Sequence, residues 1–172
     1  EQAKRGVMAG IVINALNGER FDKPGEKISD DLELMIKGEK LPFVSRGGLK
    51  LARALQAFDI SVLDQTAIDI GSSTGGFTDV MLQNGAKLVY AVDVGTNQLA
   101  WKIRQDDRVV VMEQFNFRYA KPEYFSHDLP TFASIDVSFI SLALILPALY
   151  DILLEGGQVV ALIKPQFEAG RE

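Results

Sequence analysis

From Thr66 onward the chain alternates short apolar runs with longer amphipathic stretches, and no other feature restricts its possible folds as strongly. The runs are Ala67 to Ile70, Leu88 to Val94, Val109 to Met112, Phe132 to Ile135 and Val159 to Ile163. Each has the length and apolar continuity of a strand covered on both faces, and helical segments separate them. Strands joined by such crossovers pair in parallel, so the pattern predicts successive βα units and an α/β domain with five strands in one parallel sheet.

The chain before Thr66 reads differently. A short helix through Met8 ends near Gly10. The run Ile11 to Asn14 then turns at Asn17-Gly18 into Glu19 to Phe21, and Asp22-Lys23-Pro24-Gly25 turns the chain again before a strand at Leu32 to Ile36. Asn-Gly and Pro-Gly between apolar runs are turn signals, which predicts a small α+β unit over residues 1–40. The body is expected over residues 41–172. It opens with a helix from Ser45-Arg46-Gly47-Gly48-Leu49-Lys50-Leu51, on which Leu51, Ala54, Leu55 and Phe58 recur at helical spacing.

Composition narrows the chemistry. With 47% hydrophobic and 24% charged residues the chain is globular in type. It has no cysteine and one histidine, His127, so disulfides, thiolate metal sites and histidine clusters are outside its means, and no metal is expected. The apolar stretch Phe139 to Leu154 is interrupted by Pro147 and Asp151 and is short of the roughly 20 residues a bilayer requires, so it predicts a buried helix and no membrane partner. The start at Glu1 has no signal-peptide shape, and the chain reads as part of a longer cytoplasmic protein. Its net charge of -5 is unevenly placed, with ten basic and eight acidic residues up to Arg53 and eight and fifteen beyond. Oligomeric state is not legible.

Between the first strand and the next helix lies Asp69-Ile70-Gly71-Ser72-Ser73-Thr74-Gly75-Gly76-Phe77-Thr78. Glycines there let backbone approach a ligand, and Asp93, 24 positions after Asp69 at the tip of the second strand, is placed to take the two hydroxyls of a ribose. Together they predict a nucleoside cofactor site, with Asn116 after the third strand where an adenine contact would sit. A dinucleotide fingerprint needs Gly-x-Gly-x-x-Gly, whereas this loop reads Gly-x-x-x-Gly-Gly behind an acid. An acid repels pyrophosphate but holds a cationic amino group, directly or through water, so S-adenosyl-L-methionine fits better than NAD. Asp69, Gly71, Ser72, Gly75, Gly76, Phe77, Thr78, Asp93 and Asn116 are the candidate cofactor residues.

Four segments carry a family resemblance: Ser45 to Leu51, Asp69 to Asp79, Asp136-Val137-Ser138-Phe139-Ile140-Ser141-Leu142, and Leu162-Ile163-Lys164-Pro165-Gln166-Phe167-Glu168. In order and spacing they resemble the hemolysin-A-like (TlyA) family. The front resembles that family's S-four-like RNA-binding module, lacking its first helix, and the body an FtsJ-type methyltransferase. The resemblance implies a Rossmann-like methyltransferase sheet, here incomplete after the fifth of seven strands, and methyl transfer to a cytidine ribose 2′-hydroxyl of ribosomal RNA. Of the FtsJ-type Lys-Asp-Lys-Glu set it matches Lys50, Asp136 and Lys164; no glutamate on a later strand is present, and Glu168 follows Lys164 too soon to be taken as its replacement. Lys164 is the candidate for favouring the alkoxide, with Asp136 orienting it.

Lys4, Arg5, Arg20, Lys23, Lys27, Lys37 and Arg46 are candidate RNA contacts, which would bind phosphates in a salt-sensitive way. Three other functions compete. The acid and aromatic of Asp136-Val137-Ser138-Phe139 have the spacing used to methylate exocyclic base amines. The absent glutamate fits a catalytically silent RNA-binding factor, and the family's name suggests a cytolysin.

Overall fold

The computed structural model describes residues 2–38 and 41–169, so the expected domain boundary after Lys40 and the last three residues lie outside the described part. The front has helix α1 (Gln2–Met8) and strands β1 (Val12–Asn14), β2 (Arg20–Phe21) and β3 (Leu34–Ile36) in an antiparallel sheet of order β2-β1-β3. The turn between β1 and β2 passes through Gly18 at φ +76°, a conformation that only glycine adopts freely. Buried Asn14 closes its start by accepting a hydrogen bond from the Leu16 amide at 2.8 Å.

The body is a five-stranded, wholly parallel sheet of order β6-β5-β4-β7-β8, formed by β4 (Thr66–Ile70), β5 (Leu88–Val92), β6 (Val109–Met112), β7 (Phe132–Ile135) and β8 (Gln158–Ala161). All five predicted strands are present, within two residues at each end. Helices α2 (Gly47–Ala57), α3 (Gly76–Gln83) and α4 (Trp101–Arg104) accompany one face, where Leu51, Leu55, Val80, Met81 and Ile103 pack on Ala67, Val89 and Ala91. The other face buries Ile68, Ile70, Tyr90 and Val92 against Phe117, Leu149 and Ile152, the last two from α5 (Leu146–Ile152). Odd and even positions of each central strand thus serve different cores, which is why the runs are continuously apolar.

Two expectations are corrected. The stretch from Phe139 to Leu154 is not one buried helix: a loop and a 3-10 turn (Leu142–Leu144) precede α5, and Phe139 is 92% exposed. Pro147 sits in the first turn of α5, where its missing N–H costs nothing, so it starts a helix there and cannot lie within a longer one. Phe58 is not on the packed stripe of α2; it caps the helix and is 69% exposed.

Sheet order places the site. The chain runs outward from β4 through β5 to β6, then crosses to β7 and β8 on the other side of β4. Connections leave the carboxyl end of the sheet in opposite directions there, which opens a crevice beside β4.

Candidate active site

Five predicted residues converge on this crevice because each follows the carboxyl end of a strand: Gly71 after β4, Asp93 after β5, Asn116 beyond β6, Asp136 after β7 and Lys164 beyond β8. Two adjoining cavities lie there, of about 420 and 250 Å³, sharing Gly71, Ser73, Asp136 and Ser138 as walls.

The loop after β4 reverses through left-handed residues Gly71 (φ +84°), Ser73 (φ +48°) and Gly75 (φ +94°). Gly71 and Ser72 donate to the Val92 carbonyl at 2.9 and 3.0 Å, which pins the loop to β5. A Cβ at Gly71 would stand 2.5 Å from the Asp136 carbonyl oxygen, so no other residue fits between the β4 and β7 loops. At Gly76 a Cβ would collide with Ser45 Oγ and stand 2.8 Å from the Gly48 nitrogen. Glycines thus let the starts of α2 and α3 touch, which brings the Ser45 segment to the smaller cavity.

The larger cavity has Asp93 on one wall and Asn116 with Phe115 and Phe117 on another. Asp93 accepts from the Ser73 amide at 2.7 Å and the Gly95 amide at 2.8 Å, one on each oxygen. A carboxylate has about four acceptor positions, so two stay available to hydroxyl donors. Asn116 lines this cavity while its Oδ1 caps a 3-10 turn by accepting from the Arg118 amide at 3.1 Å. Val94, Gln98 and Val137 to Ile140 complete the walls, and sequence reasoning did not single them out for this purpose.

Asp69 is placed differently from expectation. It is fully buried behind the loop and lines neither cavity; Thr78 Oγ donates to it at 2.7 Å and Ser134 Oγ at 3.1 Å. Burial pushes its carboxyl up to about 6, and the two hydroxyl hydrogen bonds oppose part of that rise. Its carboxylate is spent on joining β4, α3 and β7, and presents no exposed oxygen to a cofactor amino group. Thr78 and Gly75 likewise stand behind the cavity walls, whereas Ser72, Gly76 and Phe77 line the smaller cavity.

Asp136 lies between two lysines. Lys164 Nζ is 2.6 Å from its Oδ1 and Lys50 Nζ 3.6 Å from its Oδ2. The Lys164 contact lies outside hydrogen-bond alignment and is an ion pair; Lys164 instead donates to Ser138 Oγ at 2.9 Å. Lys164 precedes Pro165, which keeps its backbone extended (φ -112°, ψ 98°) at the strand exit. Lys50 is brought in by α2, whose preceding segment is tied to α3 through the Val44 amide donating to buried Asp79 at 2.8 Å.

Lys4, Arg5, Arg20, Lys23, Lys27, Lys37 and Arg46 are all exposed. Arg20 is partly engaged, donating to the Gly10 carbonyl at 3.2 Å, and the guanidinium of Arg46 lies beside the Gly18 turn. Among the described residues no group of three or more histidine or carboxylate side chains is placed to hold a metal ion, and no helix is long and apolar enough to cross a membrane.

The switch-point crevice, glycine loop and strand-tip aspartate define the class: an α/β domain of the kind that binds a nucleoside cofactor. Residues 43–172 match the FtsJ-like methyltransferase family, and the chain belongs to that family. YqxC of Bacillus subtilis (strain 168), provisionally named an rRNA methyltransferase, is 66% identical over 172 residues, all of this chain and 60% of that protein. The protein of Mycobacterium tuberculosis (strain CDC 1551 / Oshkosh) named 16S/23S rRNA (cytidine-2′-O)-methyltransferase TlyA is 43% identical, over 99% of this chain and 63% of its own. A solved structure of a hemolysin-named protein from Streptococcus thermophilus superposes with a TM-score of 0.78 at 76% identity, over 99% of this chain and 62% of that one. The chain therefore spans about three fifths of the length of these relatives.

Proposed function

We propose that the protein transfers a methyl group from S-adenosyl-L-methionine to the ribose 2′-hydroxyl of a cytidine in ribosomal RNA. The observation that carries this reading is Asp136 held between Lys50 and Lys164 at the wall common to both cavities. The larger cavity suits a nucleoside: Gly71 offers bare backbone, Asp93 has acceptor positions for a ribose diol, and Asn116 with two phenylalanines offers an amide and apolar faces. The relatives' names support ribosomal RNA as the acceptor, and with it a cytoplasmic location.

The cofactor, when bound, supplies an already activated methyl group. The chain's own task is to hold the acceptor oxygen in line and favour loss of its proton. Two ammonium groups beside one carboxylate leave net positive charge, which favours an alkoxide in the smaller cavity. Asp136 orients Lys164 and keeps it from turning to solvent. An exocyclic-amine methyltransferase would use Asp136 to accept an amine hydrogen; the two ammonium groups that flank it favour the ribose reading. The exposed basic side chains of the front would add salt-sensitive phosphate contacts.

The test is methyl transfer from labelled S-adenosyl-L-methionine to ribosomal subunits, followed by nucleoside analysis. Ribose-methylated cytidine is expected, and Lys164→Ala is expected to lower kcat by about 100-fold or more. A methylated base, or full activity of Lys164→Ala, overturns the reading.

A further inference from the structure

We infer that Glu168 is a positioning residue, a clasp between the loop after β7 and the loop after β8 that keeps Asp136 and Lys164 in register. This rests on the function proposed above. Glu168 lies at the end of a short helical turn, Pro165–Glu168. Its Oε2 accepts from Ser141 Oγ at 2.6 Å and its Oε1 from the Leu142 amide at 2.9 Å, across 26 or 27 residues of chain. Ser141 Oγ in turn accepts from the Ala143 amide at 3.1 Å. Glu168 and Ser141 thus satisfy both leading amides of the 3-10 turn that ends the β7 loop, a reciprocal cap whose acid comes from a distant segment.

The contacts are charge-assisted, and the Ser141 hydroxyl with the Leu142 amide holds the Glu168 carboxyl below its ordinary range, so the clasp persists through neutral pH. A second contact runs beside it. The rings of Phe139 and Phe167 lie 5.2 Å apart, although Phe139 is almost wholly exposed and has a left-handed φ of +63°. A phenylalanine holds that conformation only where its surroundings over-determine it. The Phe167 ring lies beside it, and the Glu168 cap holds the chain two and three residues further on. Between the clasp and the strands lie the functional groups: Asp136 and Ser138 on one loop, Lys164 on the other. Glu168 makes its hydrogen bonds away from both lysines, so it is not a substitute for a fourth member of the charged set.

The experiment compares Glu168→Ala, Glu168→Gln and Ser141→Ala, singly and as Glu168→Ala/Ser141→Ala, in the full-length protein. Readouts are single-turnover methyl transfer, KM for both substrates, and hydrogen exchange at the Leu142 amide and across Asp136 to Ile140. Glu168→Ala is expected to lower kcat by about 10- to 100-fold, as a displacement of about 1 Å does, with KM changed less than about threefold. Glu168→Gln keeps an acceptor and is expected to fall between Ala and wild type. The double variant is expected to be no worse than the worse single, because both remove one unit. Leu142 protection is expected to drop in each variant, and Ser141→Ala reads the clasp from its other side if Glu168→Ala does not fold. Wild-type kcat in the variants, a loss confined to KM, or unchanged Leu142 protection overturns the inference. A wild-type protein without methyl transfer defeats the function proposed above, and Leu142 exchange then still decides the clasp.

Discussion

Asp69 shows how one side chain can be misread from sequence and still matter. An acid before a glycine loop reads as a ligand, but here it is a buried joint whose two oxygens are taken by Thr78 and Ser134. Its carboxyl is raised from 3.8 to about 6, mainly by burial. A folded acid that binds its proton more tightly than the unfolded chain stabilises the fold at low pH and loses that contribution as pH rises through the folded value. Wild-type stability is therefore expected to lose about 2 kcal/mol between pH 4 and pH 6.5 relative to Asp69→Asn, which lacks this titration. Paired urea unfolding curves across that range check it; parallel curves would show that Asp69 does not titrate there. Ser134 as partner was beyond reach of the sequence, since only the register that sets Asp69 opposite Ser134 in adjacent strands brings the hydroxyl there.

At the scale of elements, the strand-loop-helix unit β4 to α3 supplies most of the wall of the smaller cavity. Its glycines were legible as a loop, but their separate duties were not. Gly71 must pass under the Asp136 carbonyl, Gly75 reverses the chain, and Gly76 lets α2 approach α3. Gly71→Ala combines a left-handed φ with a backbone clash and is expected to cost about 2 kcal/mol or more and to abolish cofactor binding. Thermal unfolding and titration calorimetry check both; a stable variant with unchanged affinity would mean that the β7 loop yields freely. The stretch from Phe139 to Leu154 shows the opposite case. Hydrophobicity marked it as one helix, but the Ser141 cap, Pro147 and the distant Glu168 divide it into a loop, a 3-10 turn and α5.

For the molecule as a whole, cofactor binding and folding are linked, because the crevice exists only when both halves of the sheet are in place. A ligand at 100 times its Kd adds about 2.7 kcal/mol to stability, so S-adenosyl-L-methionine is expected to raise Tm by about 5 °C or more and NAD to leave it unchanged. Asp93→Ala should weaken adenosylmethionine binding by about tenfold or more, and so shrink the rise, through loss of hydrogen bonds to a charged acceptor. An equal rise in wild type and variant would remove Asp93 from the site.

The sequence by itself determined the five parallel strands, the glycine loop and the charged residues at strand exits, because these follow from local periodicity and turn chemistry within short stretches of chain. The three-stranded front was legible for the same reason, through its Asn-Gly and Pro-Gly turns. The resemblance grouped Asp136 with lysines 86 positions before it and 28 after it, but only the tertiary structure decided that it stands between them, that Asp69 faces inward, and that Glu168 reaches the β7 loop. Such pairings depend on sheet order, strand register and the close approach of glycine backbones, and residues distant in sequence carry no local sign of what folding sets beside them.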